Sequence, residues 1–151
     1  MKKLIISFFI FSLPLLIFSQ TSDDYLSAAL QTANWLISLE QEESLCNGLS
    51  WPQSTISDTK ATGLGSGAAG IGLFFLRLYQ STGNALYLQK AKRAANFINY
   101  QYNNQKTSGP DWLSGAAGGG DFFIDLYKET KNSNYLDGKN IGSMAHGGSV
   151  H

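Results

Sequence analysis

From Ala68 onward the apolar residues Ile71, Phe74, Phe75 and Leu78 recur every three or four positions, which places them on one face of an α-helix. Gly83 ends that periodicity, and Asn84 supplies an N-cap for a following helix. There Leu88, Ala91, Ala95 and Ile98 form the apolar stripe, and Lys90, Lys92 and Arg93 are expected to face water. Upstream, Thr21 and Asp24 have the spacing of a capping box, ahead of Leu26, Ala29, Ala33, Leu36 and Ile37 at helical intervals. TANWLISLE from Thr32 is echoed by AANFINYQ from Ala94. Strand signals are weak, because alternation never lasts. The predicted order is helix, long loop, helix, helix, loop, helix.

The pattern is written twice. SGAAGIGLFFLRLYQSTGNALYL (66–88) returns 48 residues later as SGAAGGGDFFIDLYKETKNSNYL (114–136). One ungapped offset pairs Phe74 with Phe122, Phe75 with Phe123, Leu78 with Leu126, Tyr79 with Tyr127 and Tyr87 with Tyr135. A period of this length signals stacked supersecondary units, here helical hairpins. Each copy opens on a pentad of small residues, an expensive choice at a helix start unless something needs the room. Two readings stand. The pentads permit tight helix packing, or the unpaired N–H groups of two neighbouring helix starts converge on a rim that holds an anion or thiolate.

The N-terminus reads differently. Lys2 and Lys3 precede an apolar run from Leu4 to Phe18, bent by Pro14, and Ser19 suits a cleavage site with Gln20 as the new start. The run is short for a membrane span, so residues 1–19 are expected to be an export signal rather than a stable anchor. Without Lys2 and Lys3, 9 of the 11 basic residues remain against 11 acidic ones. Such a balance excludes nucleic acid as an expected partner. Cys46 is the only cysteine, so packing rather than a disulfide must hold the core.

GLGSGAAGIGLFFLRLYQSTGNALYL, DWLSGAAGGGDFFIDLYKETKNSNYL and the tail NIGSMAHGG together resemble the lanthionine synthetase C-like family. The resemblance covers most of Tyr25 to Gly148. It implies an all-α fold, in which helical hairpins form part of an (α/α) toroid with glycine-rich turns before the inner helices. It implies bacterial peptide cyclases that use zinc to add a cysteine thiol to a dehydrated Ser or Thr. Asp111 in DWLSG and His146 in MAHGG resemble the family's acid–base residues. The zinc ligands of complete members come from W-C-x-G and C-H-G signatures, which this chain lacks; Cys46 in SLCNG matches neither. Residues 20–151 are therefore expected to form an incomplete domain that holds no zinc and is inactive in isolation, with a peptide or protein as partner and an uncovered flank for self-association.

The residues leave other readings open. Asp111 has the place of a cap for the helix after Ser114. His146, among glycines, fits a flexible tail as well as a catalytic motif, and His151 adds too little for a metal site. Cys46 has nothing beside it to lower its pKa. Trp51 and Trp112 each stand ahead of a pentad, either as an aromatic lip that stacks on a sugar or peptide side chain, or as covers for the hairpin ends. A glycosidase on this scaffold would draw its two carboxylates from Asp111, Asp121 and Asp125. A non-catalytic interaction module is the third function class.

Overall fold

The computed structural model describes residues 21–54, 56–104, 109 and 111–137. Four helices carry the fold: α1 (Ser22–Leu39), α2 (Ala68–Thr82), α3 (Ala85–Asn103) and α4 (Ala116–Thr130), followed by a 3₁₀ turn at Ser133–Tyr135. Their ends follow the sequence chemistry. The Thr21 backbone N–H donates to the Asp24 carboxylate at 2.8 Å, and the Asp24 N–H returns to Thr21 Oγ1, completing the capping box. Gly83 closes α2 in the left-handed region (φ 69°), and Asn84 accepts from the Leu86 N–H to open α3.

The two copies are physical equivalents. Thr82 and Thr130 each donate to the carbonyl four residues back, Leu78 and Leu126, both at 2.7 Å. Asn84 and Asn132 each cap the next turn. Phe75 stacks on Tyr87 at 6.1 Å between centroids, and Phe123 on Tyr135 at 6.3 Å. In the second copy the described continuation is a single 3₁₀ turn rather than a long helix.

Only Gly83 and Asn84 separate α2 from α3, which makes them an antiparallel pair. Their facing residues, among them Phe75, Leu76, Ala91, Ala94 and Ile98, form the centre of the core. Helices α2 and α4 run side by side in the same sense. Their starts meet where the Gly65 N–H donates to the Leu113 carbonyl, and towards their ends Arg77 pairs with Asp125 and Gln80 bonds Glu129. Phe122 packs over Gly72, where a Cβ would overlap its ring. This is a mostly helical assembly with consecutive inner helices parallel, as a hairpin repeat requires; the described residues do not close a ring.

The long loop corrects an all-helical reading. It holds two antiparallel hairpins: β1 (Gln41–Glu43) with β2 (Gly48–Ser50), and β3 (Pro52–Ser54) with β4 (Ser57–Lys60). Strands of three or four residues are too short to leave a legible alternation. Side chains anchor them instead. Trp51, 4% exposed, donates its indole N–H to the Leu36 carbonyl at the end of α1. Arg93 forms an ion pair with Glu42 and also donates to the Asn47 and Gly48 carbonyls, while Lys90 pairs with Glu40. Lys90 and Arg93 therefore clamp a hairpin rather than face water. No described helix is long and apolar enough to cross a membrane, and residues 1–19 lie outside the described part of the chain.

Candidate functional site

Ahead of α2 and α4 the chain makes an equivalent compact turn, over residues 61–67 and, in the second copy, over the described residues 109 and 111–115. Each turn folds back onto the helix it precedes. The Ala68, Ala69 and Gly70 N–H groups donate to the Ala61, Thr62 and Gly63 carbonyls, and Ala116 donates to Gly109 in the second copy. The N–H groups at the start of α2, and that of Ala116 at the start of α4, are thus satisfied by backbone oxygen rather than pointing into open space. The glycines make the approach possible: a Cβ at Gly70 would overlap the Leu64 carbonyl, and one at Gly118 the Trp112 carbonyl. Of the two readings of the pentads, close packing is the one realised. The turns also touch each other, since a Cβ at Gly63 would stand 2.6 Å from Ser114 Cα.

Two clefts border the paired turns. One, of about 450 Å³, is lined mostly by polar residue types, among them Asp58, Lys60, Thr62, Ser66, Gln101 and Ser114. The other, of about 570 Å³, is apolar and is lined by Trp35, Leu39, Trp51, Pro52, Leu64 and Ile71. Gln53 and Ser66 line both and are joined by a hydrogen bond of 3.3 Å. Behind the polar cleft, the Tyr102 hydroxyl and the Gln101 side-chain oxygen are buried without a full hydrogen bond. Burial pushes the Tyr102 phenol up, and the Thr62 hydroxyl beside it draws it part-way back.

The family model described as lanthionine synthetase C-like protein matches residues 10–146. The chain belongs to the lanthionine synthetase C-like family. Comparison with curated proteins and with solved structures gives no match. The family match begins inside the apolar N-terminal segment.

In this lanthionine synthetase C-like chain Asp111 is committed to its own turn. Its carboxylate accepts from the Ser114 backbone N–H and hydroxyl, both at 2.7 Å, and those bonds hold it below the usual carboxylate range. It fastens the turn rather than capping the helix, because the N-cap is Gly115, which has no side-chain bond. His146 lies outside the described residues, as does His151, so the Asp111–His146 pairing has no geometry here. Cys46 sits in the β1–β2 turn, half-buried against the Glu43 carbonyl, and burial pushes its thiol up. A raised thiol is a poor metal ligand or nucleophile.

The zinc of complete family members does not fit these residues. Among the described residues no three His, Cys, Asp or Glu side chains stand close enough to hold a metal ion. Of the two roles open to the tryptophans, Trp51 takes the covering one. Trp51 is core, and Trp112, 54% exposed, donates its indole N–H to Asp121. The aromatic lip is Trp35, 57% exposed, which the sequence reading missed. Its signal was present: a tryptophan displaced from the Leu26–Ala29–Ala33–Leu36 stripe of an amphipathic helix.

Proposed function

We propose that this chain is an exported lanthionine synthetase C-like protein whose family chemistry is zinc-assisted thioether formation in peptides. On its own it holds a peptide or protein partner without cyclising it. The observation that carries the second statement is the state of Asp111, the one acid–base candidate among the described residues. A carboxylate that accepts two bonds from Ser114 and is held acidic is a weak proton acceptor. Export rests on Lys2, Lys3, the Leu4–Phe18 run and Ser19. Self-association is supported by α4: Ala69 and Leu76 of α2 are fully buried, whereas their repeat counterparts Ala117 and Ile124 on α4 are exposed.

The test combines metal analysis of the purified chain with a peptide that carries one cysteine and one dehydroalanine. We expect no stoichiometric zinc and no loss of free thiol beyond the uncatalysed rate. One zinc per chain together with thioether formation overturns the reading. N-terminal sequencing of protein recovered outside the cytoplasm should begin at Gln20, and a Met1 start refutes the export signal. Glycan hydrolysis is not supported as the main activity. Asp121 accepts from Trp112, Asp125 pairs with Arg77 and Lys128, and both carboxylates lie one turn apart on α4 rather than across a cleft.

A further inference from the structure

We propose that copies of this chain join head to tail, α4 of one copy lying in the groove between α1 and α2 of the next; this rests on the self-association reading above and on no peptide chemistry. The template is the contact between α2 and α4 inside one chain. On α2 the stripe Ala69, Gly72 and Leu76 is buried, and Phe122 of α4 packs into it: a Cβ at Gly72 would stand 2.4 Å from Phe122 Cζ. Beyond Phe122, Asp125 and Glu129 of α4 bond Arg77 and Gln80 of α2. A socket stripe on one helix thus meets a knob stripe on the other.

The 48-residue offset gives each helix the stripe that its partner uses. The socket stripe on α4 is Ala117, Gly120 and Ile124. Among the described residues nothing fills it. Ile124 is 38% exposed where Leu76 is 0%, Ala117 is exposed, and a Cβ at Gly120 would meet nothing within 4 Å. The knob stripe on α2 is Phe74, Arg77 and Ser81, the counterparts of Phe122, Asp125 and Glu129. These three line a groove of about 460 Å³ whose other wall includes Leu26 and Ala29 of α1. Phe74 is half-buried there, whereas Phe122 is fully covered. One flank of the molecule offers the knob and the other the socket, so two copies meet through unlike faces, a heterologous contact.

Charge agrees with this register. Gln80 of α2 bonds Glu129, so Lys128, the counterpart of Gln80, comes to lie against Ser81 of the next copy, and Ser81 shares its groove with Asp23. The bond of Lys128 within its own chain, to Asp125, is an exposed pair of little worth, which leaves the ammonium able to turn to the arriving acid. Arg77 stays with Asp125 of its own chain. Asp111 and Leu113 stand where the first copy has Gly63 and Gly65, so two chains meet along their helices rather than turn to turn.

Sedimentation velocity of the purified chain, from about 1 μM to about 500 μM, reads the association. The mass should rise with concentration above that of one chain. Ile124→Arg sets a charge in the socket stripe, and Ser81→Arg sets a cation in the groove against Lys128. Each alone should weaken association by about tenfold or more. Both positions are exposed, and thermal melts establish that each variant is folded. Mixed in equal amounts, the two variants should return a complex of two chains, because each keeps the face that the other lacks. Gly120→Ala meets no obstacle within its own chain and should weaken association with the fold intact; it is the second test of the α4 face should Ile124→Arg fail to fold. A single chain at every concentration overturns both the register and the self-association reading. Association that survives these variants, or a mixture that forms no two-chain complex, overturns the head-to-tail register alone. Association lost in Ile124→Arg but kept in Ser81→Arg marks two α4 faces meeting each other and overturns it too.

Discussion

Three consecutive glycines on α4 allow a test in which the sign of the effect, not only its size, is set by the neighbours. Gly118, Gly119 and Gly120 all lie in the first turns of one helix. In each, alanine gains about 1 kcal/mol of intrinsic helix preference over glycine. At Gly120 an added Cβ meets nothing within 4 Å, so Gly120→Ala should stabilise the protein by roughly that amount. At Gly118 the Cβ would overlap the Trp112 carbonyl oxygen and stand 2.9 Å from Leu64 Cβ. A backbone carbonyl held in a tight turn yields poorly, which places the overpacking cost near the upper end of its range, about 3 kcal/mol. The net loss for Gly118→Ala is then about 2 kcal/mol. Gly119→Ala falls between, because its obstacle is the hydroxyl end of Tyr102. Thermal and urea melts of the three variants read the order directly, with about 4 °C per kcal/mol for a chain of this size. A Gly118→Ala protein as stable as Gly120→Ala would refute the claim that the pentad glycines exist to admit the turn.

Other expectations rest on separate features. Lys131 takes the left-handed conformation (φ 57°) that Gly83 takes in the first copy, so Lys131→Gly should stabilise by about 0.5–1 kcal/mol in a urea melt. Asp111 has a folded pKa below its unfolded value, so its contribution is present above the unfolded value near ~3.9 and is lost as pH falls through the lower folded one. Asp111→Ala should therefore melt lower than the parent at pH 7, and the gap should close in acid. Lys90 and Glu40 pair with side chains only 12% and 17% exposed. Lys90→Met should cost about 1–3 kcal/mol by stranding Glu40, and adding Glu40→Met should recover most of it, as a double-mutant cycle will measure.

The helices were legible in the sequence because their signals are long and redundant. α2 has five apolar positions in register, a glycine stop and an asparagine cap beyond it, and the 48-residue offset states the whole pattern a second time. The hairpins between α1 and α2 were not legible. Their strands are held by Trp51, Glu42 and Arg93, contacts that span the chain and leave no local period. The fate of the helix starts was hidden for a related reason. Glycine and alanine report that something comes close, not what comes, and here it is the carbonyl of the preceding turn. At the candidate site the sequence left Trp51 and Trp112 open between lip and cover, and it did not single out Trp35. Trp51 and Trp35 are indistinguishable in type, and only the fold decides that the first bonds Leu36 while the second stays open.

Where the two copies differ, packing between them explains the difference. Gly63 and Gly65 of the first turn correspond to Asp111 and Leu113 of the second. A Cβ at Gly63 would stand 2.6 Å from Ser114 Cα, and one at Gly65 would stand 2.7 Å from the Leu113 side chain. The first turn therefore lacks side chains at positions 63 and 65 because the second turn lies on it there. Among the described residues nothing lies in the same way on Asp111 and Leu113, both exposed, and side chains return there. The asymmetry is testable by exchange. Gly63→Ala should cost about 3 kcal/mol by forcing the two turns apart. Asp111→Gly should lose only the bonds to Ser114 and leave the contact between the turns intact. If both changes lower the melting temperature equally, the two turns do not pack as the copies' differences require.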